Sequence, residues 1–170
     1  MWGEDGRRSE PGSETLSISF GQEHNSLGFD HFIKGRFKVA AEEFSLAAQL
    51  DPKFCAALSN LSAMYMVEGS LEQAETRLNA ALAIDPDSAV LHNNMGVYYY
   101  LKKDLEGACS EFARAIEQDP NLSAAYVNYG DVMYLKNSAQ NAISLWGKIR
   151  SYDPLSPIAT RRLAYKTVKT

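Results

Sequence analysis

"MGVYYYLKKDLEGACSEFARAIEQDP", residues 95–120, decides how the rest of the chain is read. It closes on Asp-Pro, and the same dipeptide stands at 51–52, 85–86 and 153–154, so the interval is 34 residues each time. Chance rarely sets one dipeptide four times at equal spacing; a fixed period of this length marks stacked supersecondary units. Aligned on the prolines, every unit shows two stretches whose apolar residues recur at helical spacing. The break between them carries turn chemistry. Gly35 and Gly69 hold equivalent places, with Lys103 and Asn137 in the next two units. A helix ends there in the left-handed conformation, which glycine takes freely, asparagine tolerates and lysine accepts less readily. Ser70, Asp104 and Ser138 follow and can cap the second helix, and Ser70 with Gln73 makes a capping box. Proline disfavours helical geometry in the residue before it, so each Asp-Pro ends the second helix.

Other rows recur on the same period. Gly28, Ser62, Gly96 and Gly130 are equivalent, as are Ala40, Ala74, Ala108 and Ala142. These are the places where paired helices must cross closely. Phe44, Leu78, Phe112 and Trp146 form one row of large residues, and Leu27, Leu61, Met95 and Tyr129 another. Aromatic stripes at this spacing point to core rather than to a cofactor pocket.

Together these residues resemble the tetratricopeptide repeat family. "LGFDHFIKGRFKVAAEEFSLAAQLDP" (27–52) reproduces its pattern at Leu27, Gly28, Ala40, Phe44, Ala47 and Pro52; the opening stretch does so at Gly96, Tyr99, Ala108, Phe112, Ala115 and Pro120. The chain departs from the pattern at the leading aromatic, which is His24, Leu58, His92 and Tyr126, and at Trp146 and Ile149 in the last unit. The resemblance implies an all-α fold: a right-handed α-solenoid of four helix-turn-helix units at 21–54, 55–88, 89–122 and 123–156, closed by a capping helix over 157–170. Ser156 and Pro157 open that helix, Ile158, Leu163 and Val168 are expected to pack on the last pair, and its basic residues to face water. Residues 1–20 read as a flexible tail in which Leu16, Ile18 and Phe20 alternate like a short strand.

The bulk numbers narrow the function. The chain has 170 residues, 45% apolar and 22% charged, with net charge −4. That balance argues against nucleic acid, which calls for clustered Lys and Arg. Residues 155–170 hold Arg161, Arg162, Lys166 and Lys169 with no acid; taking these four from the 17 bases leaves 13 against 21 acids elsewhere. That basic end is either solvated or set against an acidic partner. Cys55 and Cys109 form no C-x-x-C pair, which suits free thiols in the cytoplasm. No apolar run is long enough to insert in a membrane. His24, His31 and His92 have no carboxylate or thiol at ligand spacing, no phosphate-binding glycine loop occurs, and no nucleophile–base order is suggested. Neither enzyme, metal nor cofactor is expected.

In the family the first helices of successive pairs line a concave groove. The resemblance places Ser26, Asn60, Asn94 and Asn128 on that surface as an amide ladder, with Asn93 beside it. A similar row lines the groove of O-linked N-acetylglucosamine transferase. A side-chain amide donates and accepts at once, so it can pair with the backbone of an extended peptide, or else only with a neighbouring helix. Beside the ladder run Phe29, Phe32, Met66, Tyr100 and Tyr134, with Asp131 the one acid; Ile33, Val67, Leu101 and Leu135 extend the row. The carboxylate clamp of heat-shock chaperone adaptors is not expected, because Gln22, Asn25, Ala56, Ser59, Val90 and Asn94 supply no cation.

The expected function is a protein–protein interaction module, an adaptor that holds an extended, partly apolar peptide in the groove. Replacing Asn94 and Asn128 should then weaken binding and leave melting nearly unchanged. The alternatives are a scaffold that self-assembles into homo-oligomers through the Trp146 and Ile149 surface, and a chaperone or assembly subunit of a secretion or pilus-type complex. "TLSISF" (15–20) is a further candidate to occupy the groove.

Overall fold

The computed structural model describes the backbone of residues 11–164 and the side chains of 16 and 18–164. Every described element is a helix: α1 Pro11–Ile33, α2 Phe37–Leu50, α3 Cys55–Glu68, α4 Leu71–Ile84, α5 Ala89–Leu101, α6 Leu105–Gln118, α7 Ser123–Leu135, α8 Ala139–Tyr152 and α9 Pro157–Ala164. Each packs on the next, while α3 also touches α5 and α5 touches α7. The result is an α-solenoid of four helix pairs and a closing helix.

The turns explain why the pairs form. Gly35, Gly69, Lys103 and Asn137 all have positive φ, at 72°, 80°, 64° and 58°. In each unit the next amide reaches back to the helix, from Arg36 to His31, Ser70 to Tyr65, Asp104 to Tyr99 and Ser138 to Met133, at 2.8–2.9 Å. This is the six-to-one bond of a Schellman end. At the opposite edge Asp51 and Asp119 leave helical geometry with ψ of 93° and 97°. Their carboxylates accept from the amides of Lys53 (3.0 Å) and Asn121 (2.9 Å), so the aspartate builds the turn that the proline enforces. The expected caps form only in part. Asp104 accepts from the Gly107 amide at 2.9 Å. Ser70 and Ser138 make no side-chain cap bond, so the Ser70–Gln73 box is absent.

Between the helices of a pair, rings lie on glycines. A Cβ on Gly28 would sit 2.6 Å from Phe44, and one on Gly96 2.5 Å from Phe112; at Gly130 it would collide with the Trp146 indole. Ser62 occupies the same row in the one unit whose large residue is Leu78, and both are fully buried. A branched aliphatic chain leaves room for a Cβ where a flat ring does not.

The two ends differ from expectation. Residues 11–20 are helical, so the tail and the alternating strand are corrected over that span; residues 1–10 lie outside the described ones. Three alternating residues are a weak signal, and extending an existing helix gains a hydrogen bond per residue. Leu16, Phe20 and Leu27 also fall on one helical stripe (i, i+4, i+11). Leu27 is not core: it is 40% exposed, against 1% for Leu61 and 6% for Met95, because no helix pair among the described residues packs on its outer side. At the other end Trp146 and Ile149 are 4% and 0% exposed, so they offer no oligomer surface. Ala159 of α9, Tyr126 and Ile149 form one buried cluster. Ile158, expected to pack, is exposed, Leu163 is half-buried, and Val168, Lys166 and Lys169 lie outside the described residues.

Candidate functional site

The ladder residues lie on successive first helices, Ser26 on α1, Asn60 on α3, Asn94 on α5 and Asn128 on α7. Each asparagine amide reaches the preceding unit. Asn60 Nδ2 donates to Asn25 Oδ1 at 3.0 Å, Asn94 Nδ2 to Ser59 Oγ at 2.9 Å and Asn128 Nδ2 to Asn93 Oδ1 at 2.9 Å. Asn93 is 8% exposed and donates in turn to Asn94 Oδ1 at 3.3 Å. The opposite pairing possibility, a neighbouring helix, is therefore realised for one amide hydrogen of each rung. The Oδ1 atoms of Asn60 and Asn128 have no partner among the described residues. Because these bonds cross unit boundaries, replacing ladder residues will lower melting, contrary to the expectation from sequence.

Two recesses flank those free acceptors. One, of about 260 Å³, includes Ser59, Asn60 and Val90; the other, about 230 Å³, includes Val97, Tyr100, Asn128 and Asp131. Tyr100 and Asp131 also line a third pocket of about 290 Å³, so the surface runs on from Asn128 toward Tyr134. Tyr100 and Tyr134 are exposed by 42% and 39%. The structure thus brings Asn128, Tyr100, Asp131 and Tyr134 together. Phe29 and Phe32 belong elsewhere, in an exposed ring cluster with Phe37, with centroids 6.4 and 5.7 Å apart. Met66 is half-buried against Leu78, Met95 and Tyr98.

Asp131 is not a free acid. Arg162 of α9 grips it through Nε to Oδ1 at 2.7 Å and Nη2 to Oδ2 at 2.6 Å. Sequence reasoning set Arg162 in water and missed this bidentate pair.

It also missed two carboxylates. His24 Nδ1 lies 2.7 Å from Glu43 Oε2, and His92 Nδ1 lies 2.7 Å from Glu111 Oε2. His92 Nε2 meets the Pro86 carbonyl at 2.9 Å, and the side chain is buried. These are inter-helix braces at equivalent repeat positions, and that equivalence was the signal available in the sequence. His31 Nδ1 is buried without a partner.

The remaining polar chemistry is quiet. Burial, and then Asp85, push the Cys55 thiol up; burial does the same for Cys109. Both are free cysteines held away from the nucleophilic thiolate. Burial and a hydrogen bond to Glu75 push the Tyr98 phenol up. Among the described residues no group of three His, Cys, Asp or Glu could hold a metal, and no helix is long and apolar enough to cross a membrane.

Comparison with known proteins agrees with this architecture. A family model described as TPR repeat matches residues 64–103, and one described as tetratricopeptide repeat matches 89–122. No curated protein matches the chain. Among solved structures, that of Pseudomonas aeruginosa pilF is 22% identical, covers 89% of this chain and 71% of its own, and superposes with a TM-score of 0.78. PilW, described as a type IV pilus biogenesis factor, is 21% identical over 86% of this chain and 68% of its own, with a TM-score of 0.77. The first TPR of Spaghetti (RPAP3), bound to an HSP90 peptide, is 19% identical over 71% of this chain and 96% of its own, with a TM-score of 0.64. At these identities the likeness speaks for the fold. The period, the turns, the ring-on-glycine crossings and the two family matches carry one conclusion: the chain carries tetratricopeptide repeats, matched by family models across residues 64–122.

Proposed function

We propose that this protein is a non-enzymatic interaction module of the cytoplasm, an adaptor that holds an extended, partly apolar segment of a partner protein along its first helices. The observation that carries this reading is the run of surface from Asn128 past Asp131 and Tyr100 to Tyr134, where an unpaired amide oxygen adjoins exposed rings. Asn60 and Asn128 each keep an acceptor for a backbone N–H of the guest. Two such bonds supply about 2 kcal/mol net. Micromolar affinity needs about 8 kcal/mol. Burying roughly 200 Å² of the aromatic row adds ~5 kcal/mol gross, less the ordering cost. A guest with apolar side chains and moderate affinity follows.

The test is selection from a random peptide library, followed by titration of the enriched peptides against wild type and an Asn60→Ala, Asn128→Ala variant. Affinity should fall at least about tenfold. A library that enriches nothing, or peptides that hold the double variant equally well, overturns the reading.

A second reading, a self-assembling scaffold, has its own observation in the bare stripe of α1, where Leu16, Phe20 and Leu27 are 59%, 50% and 40% exposed. Light scattering across a concentration series would show dimers that Phe20→Glu dissolves; a strict monomer removes it.

A further inference from the structure

The closing helix supplies one wall of a pocket. Tyr100, Asp131, Tyr134, Leu135, Trp146 and Arg162 line about 290 Å³ where α5, α7, α8 and α9 converge. Three of the six are aromatic. Tyr134 and Trp146 stand 6.0 Å apart, tilted by 39°, in contact with each other, and Trp146 is 4% exposed, so the rings of Tyr100 and Tyr134 are the faces open to a guest. The polar part of the wall is the Arg162–Asp131 pair, in which both carboxylate oxygens are engaged. Arg162 keeps its Nη1 amine free of that pair. Arg161 precedes it on the same helix, and residues 155–170 contain no acid.

The chemistry of these walls selects an occupant. A lysine or methylated ammonium suits an aromatic cage, but here it would face Arg162 and find Asp131 already held. A polar uncharged side chain would lose water and meet rings. An aromatic side chain fits on both counts: it packs on the exposed Tyr100 and Tyr134 rings and removes roughly 200 Å² from water. Acidic residues beside it would meet the Nη1 edge of Arg162.

We propose that this pocket seats one aromatic side chain of a partner protein, flanked by acidic residues, and that α9 is part of the binding site as well as the cap. This rests on the groove reading given above and names the residue that anchors the guest. Leu135 is 53% exposed and forms the rim, so it can be altered without threatening the fold.

The experiment uses the full chain carrying Trp2→Phe, which leaves Trp146 as its one indole. Short soluble peptides with a central Glu-Phe-Glu are titrated while the emission of Trp146 is followed, beside peptides with Glu-Ala-Glu and Lys-Phe-Lys. The Glu-Phe-Glu peptide should shift the emission and bind at least about tenfold tighter than either control, and Leu135→Asp should remove about tenfold of that affinity. Equal binding of the alanine peptide, with no change at Trp146, overturns the pocket and leaves the groove reading standing. Library peptides that bind nowhere on the protein overturn both. Phenylpropionate binding as tightly as the peptide would mark a small-molecule site and also overturns the proposal.

Discussion

The two ends of the solenoid face the same problem and solve it differently. At the C-terminal end α9 lays Ala159 over Ile149 and Tyr126, and all three are buried. At the N-terminal end nothing among the described residues covers the outer stripe of α1, and Leu27 stands 40% exposed in the row where Leu61 is 1% exposed. The same residue type at the same repeat position is core in one unit and surface in another. What decides is the neighbour on one side, which is how a one-dimensional stack differs from a globule. The covered end also carries more chemistry: α9 brings Arg162 to Asp131 and shapes the pocket against Trp146.

Three measurements would break or sharpen this contrast. The largest effect is expected from Leu61→Ala, about 3 kcal/mol by denaturant unfolding, against less than about 1 kcal/mol for Leu27→Ala, since only the first leaves a cavity. Equal losses would mean that something buries Leu27 in solution. Next comes truncation after residue 156, which uncovers Ile149 and Tyr126; a loss of about 2–4 kcal/mol is expected, together with self-association visible in light scattering. A truncated chain that melts like wild type would deny α9 its capping role. The smallest effect is a gain. Lys103 holds φ of 64° where two other units use glycine, so Lys103→Gly should stabilise by about 1 kcal/mol and raise Tm by a few degrees. An unchanged or lower Tm would show that the lysine side chain contributes more than the strain of its backbone removes.

The fold was legible because its determinants are local or periodic. Asp-Pro at 34-residue intervals, positive-φ residues at four equivalent turns and Gly28, Gly96 and Gly130 beneath rings are each written in one column of the sequence. The site was legible only in part. That Asn94 and Asn128 hold equivalent places on successive first helices follows from register; that each has committed a hydrogen to Ser59 or Asn93 depends on how adjacent units stack. Arg162 and Asp131 are 31 residues apart, but Arg162 stands 34 residues after Asn128, so the period put it in the ladder column and held a signal that the reading of a solvated basic end passed over. The His24–Glu43 and His92–Glu111 braces were within reach, since both pairs recur at one spacing of 19 in one pair of columns. Leu16 to Phe20 misled because alternation over three residues fits a strand and a helix edge equally.

The amide ties have a mechanical consequence. They all cross from one unit to the one before it, at 2.9–3.0 Å, along the row of first helices. Greasy helix contacts elsewhere tolerate sliding by fractions of an ångström, but a hydrogen bond at this length fails when stretched by less than one. The row of first helices therefore behaves as a set of short tethers that fixes the pitch of the spring, and any change of curvature has to snap them one at a time.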